Sequence, residues 1–198
     1  MNKFDERYSS EDYYYGTEPN AYLAQMYQRI PAGGAVLCLA EGEGRNAVFL
    51  AQQGYRVTAM DSSSVGLNKL KRLAASRNVS VQTIHADLQD FQMGEAQWDG
   101  VVSIFCHLPP SLLHEVNARI VAALRPGGVF ILEAYRPEQV GKNTGGPKET
   151  SLCVSLATLE HDFASLQIAD ARSIERSVIE GKGHTGVGAV VQFTAIKK

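Results

Sequence analysis

The chain has 198 residues, of which 44% are hydrophobic and 20% charged. That length and balance fit one globular domain that needs no disulfide or metal staple, and they exclude a disordered chain. A count of 19 Lys and Arg against 21 Asp and Glu leaves a net charge of −2, without the basic excess of a nucleic-acid module.

Residues 1–18 are polar and rich in tyrosine (Tyr8, Tyr13, Tyr14, Tyr15) and have no apolar stretch of the signal-peptide kind. Ala35–Ala40 predicts a first strand, ending in a glycine-rich turn. A helix over Gly44–Gln53 and a strand over Tyr55–Met60 follow. Ser63–Ser76 places Leu67, Leu70, Leu73 and Ala74 at helical spacing. Val79–Ile84 and Trp98–Phe105 predict the third and fourth strands. Ser111–Leu124 predicts a helix that stops at Arg125-Pro126-Gly127-Gly128, and Val129–Ala134 a fifth strand. Alternation of this kind implies crossovers and a parallel, doubly wound α/β sheet. The end of the chain breaks the alternation. After a short helix at Leu156–Phe163, strands at Ile168–Ile179 and Val187–Ile196 flank a glycine-rich turn and predict an antiparallel hairpin. Residues 135–150 form a polar Gly/Pro-rich loop, long enough to predict a lid.

Cys38, Cys106 and Cys153 are far apart and lack zinc-ligand spacing, so no metal site is expected. The expected compartment is the reducing cytoplasm. No apolar run approaches the about 18 residues of a membrane span.

In a sheet of this kind ligands bind beyond the carboxyl ends of the strands. Gly42 and Gly44 follow the first strand and let the backbone turn close to a ligand. Asp61 ends the second strand, 17 residues after Gly44, where a carboxylate can accept from ribose hydroxyls. Gly42-x-Gly44-x-x-Ala47 also fits a dinucleotide fingerprint, so an NAD-dependent oxidoreductase stays open as an alternative. Glu41 and Glu43 in the same turn oppose a diphosphate and favour a ligand with positive charge.

Four features occur in order: the Glu41–Asn46 turn, Asp61, Asp87 in His85-Ala86-Asp87-Leu88, and the Pro126-Gly127-Gly128 turn. Through them residues 33–135 resemble the class I S-adenosylmethionine (SAM)-dependent methyltransferases. Gly42-Glu43-Gly44-Arg45-Asn46 and the segment Tyr15–Asn20 are similar to the tellurite-resistance and thiopurine methyltransferase group. The chain departs from the family at Cys38, where an acidic residue is usual, and at Ala40, which replaces the first glycine. Glu41 is expected to take over the ammonium contact from its shifted position.

The resemblance implies a Rossmann-like, seven-stranded, mostly parallel sheet in a single domain over 1–198. Its parts are an N-terminal cap segment (1–30), a SAM-binding core (33–135), a lid-like loop (135–150), and a C-terminal helix and hairpin (151–198). It implies that Glu41, Gly42, Gly44 and Asn46 line the methionine part of SAM and that Asp61 and Ser62 hold the ribose. Asp87 and Leu88 then face the adenine, and Phe105 and Cys106 approach the sulfonium. His107 is the candidate base, Tyr8 and Tyr15 wall the transfer site, and Arg136, Lys148 and Arg7 are candidates for an anionic substrate.

Each candidate also has a plainer role. Asp61 and Asn46 suit helix caps, Asp87 and His107 suit turns, Cys106 suits a small buried side chain, and Arg136 suits a solvated loop. The histidines at 85, 114, 161 and 184 read as structural or exposed. The implied activity is methyl transfer from SAM, leaving S-adenosylhomocysteine (SAH), to a small acceptor: a thiol, a selenium or tellurium oxyanion, or another metabolite. No nucleic-acid or membrane partner is expected, and the chain is expected as monomer or homodimer. A non-catalytic SAM-binding domain is the alternative from another class.

Overall fold

The structure is a computed structural model and describes residues 3–198. Seven strands form one sheet: β1 (Ala35–Leu39), β2 (Arg56–Asp61), β3 (Gln82–His85), β4 (Trp98–Ile104), β5 (Leu124–Tyr135), β6 (Gln167–Glu180) and β7 (His184–Ile196). Their order is β3-β2-β1-β4-β5-β7-β6, parallel through β5, with β7 and β6 antiparallel. The expected doubly wound, Rossmann-like sheet with a closing hairpin is what the chain forms.

Period-two alternation in the central strands sets the two layers. Val36, Cys38, Val102 and Ile131 pack on one face against α3 (Arg45–Gln52) and α4 (Ser64–Ser76), through Leu50, Leu67 and Leu70. Leu37, Leu39, Val101, Phe130 and Leu132 pack on the other against α5 (Pro110–Ala123) and α6 (Leu156–Asp162), through Leu113, Ile120 and Leu159. No helix among the described residues is long and apolar enough to cross a membrane.

The N-terminal cap divides in two. α1 (Lys3–Arg7) and the residues up to Gly16 lie over the site, whereas α2 (Ala21–Met26) belongs to the core. Asn20 caps α2 by accepting the Leu23 N–H at 3.0 Å. Tyr22, fully buried, donates to Asp170 on β6 at 2.9 Å, which fixes α2 under the closing strands.

The hairpin is longer than its expected strands. β6 and β7 pair from Gln167 to Glu180, which leaves a three-residue turn, Gly181–Gly183. Gly181 has a φ of 65°, and a Cβ on it would lie 2.4 Å from the Tyr14 carbonyl. Both glycines let the turn press against Tyr14 and Tyr15, and Lys182 donates its N–H to the Tyr14 carbonyl at 2.8 Å.

The loop after β5, the expected lid, packs on Tyr135 and the hairpin. None of the described residues 136–150 lines the cavity. Gln139 is buried, donating to the Gly145 carbonyl and accepting the Ala189 N–H, both at 2.8 Å, and Gly146 lies against the Tyr135 ring. The loop therefore braces Tyr135 and the hairpin.

Candidate functional site

The sheet order reverses between β1 and β4, and a crevice opens there beyond the strands' carboxyl ends. It leads into a cavity of about 360 Å³. Two lining residues other than glycine hold left-handed backbone, Ala40 at φ 48° and Phe105 at φ 52°. Such strain persists where the surroundings impose it.

The turn after β1 is held from several sides. Glu41 Oε1 accepts the N–H groups of Asn46 at 2.9 Å and Ala47 at 2.7 Å, supplying the cap that Gly44 cannot. Burial pushes the Glu41 carboxyl up to about 7, against those two donors and Arg45. Gly44 has a φ of 94°, and a Cβ there would lie 2.3 Å from Leu70 Cγ on α4. Glu43, expected in this turn only as a charge that opposes a diphosphate, is buried and paired with the buried Lys69. Its Oε2 accepts the Tyr14 N–H at 2.8 Å, so this carboxylate fastens the N-terminal segment over the crevice.

At the end of β2, Asp61 is 6% exposed. Its Oδ2 accepts the Gly42 N–H at 2.8 Å and its Oδ1 the Ser63 N–H at 2.7 Å. Each oxygen keeps a further lone pair. Burial raises its carboxyl, with the two backbone donors opposing. Beyond β3, Asp87 Oδ1 accepts the Gln89 N–H at 2.8 Å, a turn bond of the plainer kind, while Asp87 and Leu88 both line the cavity.

After β4 come Phe105, Cys106 and His107, all lining the cavity. Burial pushes the Cys106 thiol up to about 12, so it is no thiolate nucleophile. His107 Nδ1 meets the Leu152 carbonyl at 3.0 Å, and burial lowers the ring to about 4. Facing it from β7 is His184, lowered to about 3 by burial and then by nearby cations, Arg45 first. His184, read from the sequence as structural or exposed, is buried and lines the cavity. The only sequence signal was its place beside a Gly-x-Gly turn.

The cavity therefore gathers Glu41, Gly44, Asn46, Asp61, Ser62, Asp87, Leu88, Phe105, Cys106, His107, Tyr8 and Tyr15. It does not gather Gly42, whose N–H is taken by Asp61 and whose Cα faces the Tyr8 hydroxyl. Arg136 is also outside, paired with Glu138 at 3.1 Å, because the loop that carries it packs away from the crevice. Lys148 is exposed, and Arg7 donates to the Tyr15 hydroxyl from outside the lining.

Charge sorts the ligands this crevice can hold. Glu41, Glu43, Asp61 and Asp87 line it, against Arg45 as the one lysine or arginine among the described lining residues. Arg45 is already paired with Glu180 at 2.5 Å. A diphosphate would meet repulsion, whereas a ligand with an ammonium and a sulfonium group fits this set.

Residues 36–128 match the family model described as a methyltransferase domain. An uncharacterized methyltransferase of Synechocystis sp. is 33% identical over 111 residues, 54% of this chain. The chain spans about half the length of that curated relative, 50%. Among solved structures, one reported for the conversion of a disulfide bond into a thioacetal group during echinomycin biosynthesis superposes with a TM-score of 0.80. It is 19% identical and covers 98% of this chain and 90% of that one. TehB from Haemophilus influenzae gives 0.74 at 18% identity, over 98% of this chain and 66% of that one. The 1,6-didemethyltoxoflavin-N1-methyltransferase of Burkholderia thailandensis, solved with bound SAH, gives 0.66 at 22% identity, over 89% and 76%. These structures share the fold. The match to a methyltransferase domain covers just under half of the chain.

Proposed function

We propose that the chain transfers the methyl group of SAM to a small acceptor enclosed beneath residues 4–16 and the tip of the β6–β7 hairpin. The observation that carries this reading is the carboxylate-lined crevice at the β1/β4 switch point, with Asp61 closing β2. In this reading the free lone pairs of Asp61 accept from the ribose hydroxyls, with Ser62 beside them. Asp87 and Leu88 meet the adenine. Glu41, Gly44 and Asn46 surround the methionine part, and the Gly42 N–H keeps Asp61 oriented. Phe105 and Cys106 approach the sulfonium. When bound, the cofactor supplies an already activated methyl group, so the chain has only to align the acceptor and exclude water. The aromatic roof, Phe4, Tyr8 and Tyr15, is suited to the second task.

The names of two fold neighbours support a small acceptor, one acting in the biosynthesis of echinomycin and one on a toxoflavin precursor. Membership of the tellurite-resistance group is supported by the glycine turn and by the fold shared with TehB. Calorimetric titration with SAH and with NAD tests the cofactor. SAH binding without NAD binding is expected, and NAD binding without SAH overturns the reading. Incubation with labelled SAM and a panel of small acceptors then tests transfer. Binding without turnover of any acceptor would point to a SAM-binding module instead.

A further inference from the structure

One wall of the cavity is an aromatic cluster of Tyr15, Phe105, His107 and His184, of which the cofactor reading uses only Phe105. Phe105 stacks on Tyr135 with ring centroids 4.6 Å apart, and His107 lies nearly parallel to Tyr135 at 5.7 Å. His184 stands edge-on to Phe105 at 4.5 Å, and Tyr15 meets His184 at 4.7 Å. Three polar atoms of this cluster are buried without a partner: Nε2 of His107, Nδ1 of His184 and the hydroxyl of Tyr135. Each such atom is costly to bury if nothing ever meets it. Two of the three belong to residues that line the cavity, His107 and His184, while Tyr135 is stacked on Phe105 and His107, and such a pair marks a ligand position.

The hydrogen bonds fix what His107 offers. The Leu152 carbonyl can only accept, so Nδ1 carries the ring proton and Nε2 is a bare lone pair. Burial holds the ring neutral, at about 4. Charge fixes what the wall refuses. Arg45 is spent on Glu180, Arg7 donates to the Tyr15 hydroxyl, and Arg176 lies between Glu133 and Glu180. Four carboxylates line the same cavity, of which only Glu43 is paired with a lysine, Lys69. An oxyanion would find repulsion there and no uncommitted cation among the described lining residues.

We propose that this cluster is the acceptor site and that it takes an uncharged acceptor, a thiol, alcohol or ring N–H compound, whose reacting X–H donates to Nε2 of His107. The proposal rests on the methyltransferase reading above and narrows it against selenium and tellurium oxyanions. On transfer, the acceptor's lone pair forms the bond to the methyl carbon, the carbon–sulfur electron pair stays on sulfur, and the acceptor's proton passes to Nε2. The imidazolium then gives that proton to water. A weakly basic imidazole suits this order, because the X–H becomes strongly acidic only as the methyl arrives.

Nuclear magnetic resonance of the full chain with 15N-labelled histidine tests this, with SAH bound. His107 should show a protonated Nδ1 and an unprotonated Nε2 at pH 7. Phenol, as an uncharged donor probe, should move the Nε2 resonance, and selenite at the same concentration should not. Protonated Nε2, a response to selenite, or no response to phenol each overturns the proposal. His107→Phe keeps an aromatic ring and should weaken phenol binding roughly 2- to 10-fold, the loss of one hydrogen bond. Unchanged phenol affinity in that variant also overturns it. A calorimetric SAH titration separates the two levels. Failure of SAH to bind defeats the methyltransferase reading, while SAH binding with a silent His107 defeats the acceptor site alone.

Discussion

Replacing Asp61 by asparagine separates the ligand role of this residue from its structural one. In the parent each carboxylate oxygen accepts one backbone N–H, from Gly42 at 2.8 Å and from Ser63 at 2.7 Å. An asparagine has one accepting oxygen, and its NH₂ group would confront whichever backbone N–H remains. One charge-assisted bond is lost, so the ligand-free protein should lose about 1.5–3 kcal/mol of stability. The ribose hydroxyls lose their charged acceptor at the same time. A similar loss on the ligand side weakens SAH about 10- to 150-fold, since about 1.4 kcal/mol is tenfold. Thermal unfolding without ligand reads the first quantity. Calorimetric titration with SAH, well below the unfolding temperature, reads the second. A lower melting temperature with SAH affinity within about twofold of the parent would make Asp61 a turn acceptor only, and the cofactor assignment built on it would fail.

Glu41 titrates abnormally because burial raises its native pKa from 4.5 to about 7. Its unfolded form loses the proton first, so its contribution to stability falls as pH rises through that window. Denaturation of Glu41→Gln beside the parent should show a difference that grows in the variant's favour from about pH 4.5 to 7, and a constant difference refutes it. His184 has the opposite sign. Its native pKa lies at about 3 against 6.5 unfolded, so stability is lost as pH falls below 6.5, and His184→Phe should flatten that slope. Glu133 is fully buried and depends on Arg176 and Gln192. Arg176→Met should therefore cost about 3–5 kcal/mol in chemical denaturation, and a cost below about 1 kcal/mol would show that the ion pair is dispensable. Lys69 pairs with Glu43 and donates to the carbonyls of Ser10 at 2.9 Å and Asp12 at 2.6 Å. Lys69→Met should speed hydrogen exchange at Tyr14 and Tyr15 on the order of tenfold, the loss of about 1.5 kcal/mol of local stability. Unchanged exchange means the segment is held by other contacts.

The half of the site built from single turns was legible in the sequence. Asp61 ends β2, Glu41 and Gly44 lie in the turn after β1 and Asp87 in the turn after β3, and the parallel sheet brings strand ends together whatever the distance in sequence. His184 was not legible, because no local pattern says that a hairpin joined through β7 returns its tip to the mouth of β4. The Glu43–Lys69 pair was hidden for a related reason: nothing nearby in the chain pairs a turn carboxylate with a lysine on α4, beyond the next helix and strand. α2 escaped notice because its six residues are too few for a period to stand out, and its stability comes from Tyr22 reaching Asp170. The expectation of a lid at 135–150 rests on loop length and composition, which do not encode direction. Gln139 turns that loop onto the hairpin.

Glu180 at the end of β6 is held by Arg45, which opens α3, and by Arg176, which also grips Glu133 on β5; Asn20 donates to it at 3.0 Å. One carboxylate thus splices the wall that would meet the acceptor to the helix beside which the cofactor would lie. Choice of acceptor and grip on cofactor are for that reason not independent traits in this scaffold. A change in the hairpin that retunes the first will be felt by the second, and descendants with new acceptors must find such changes in pairs.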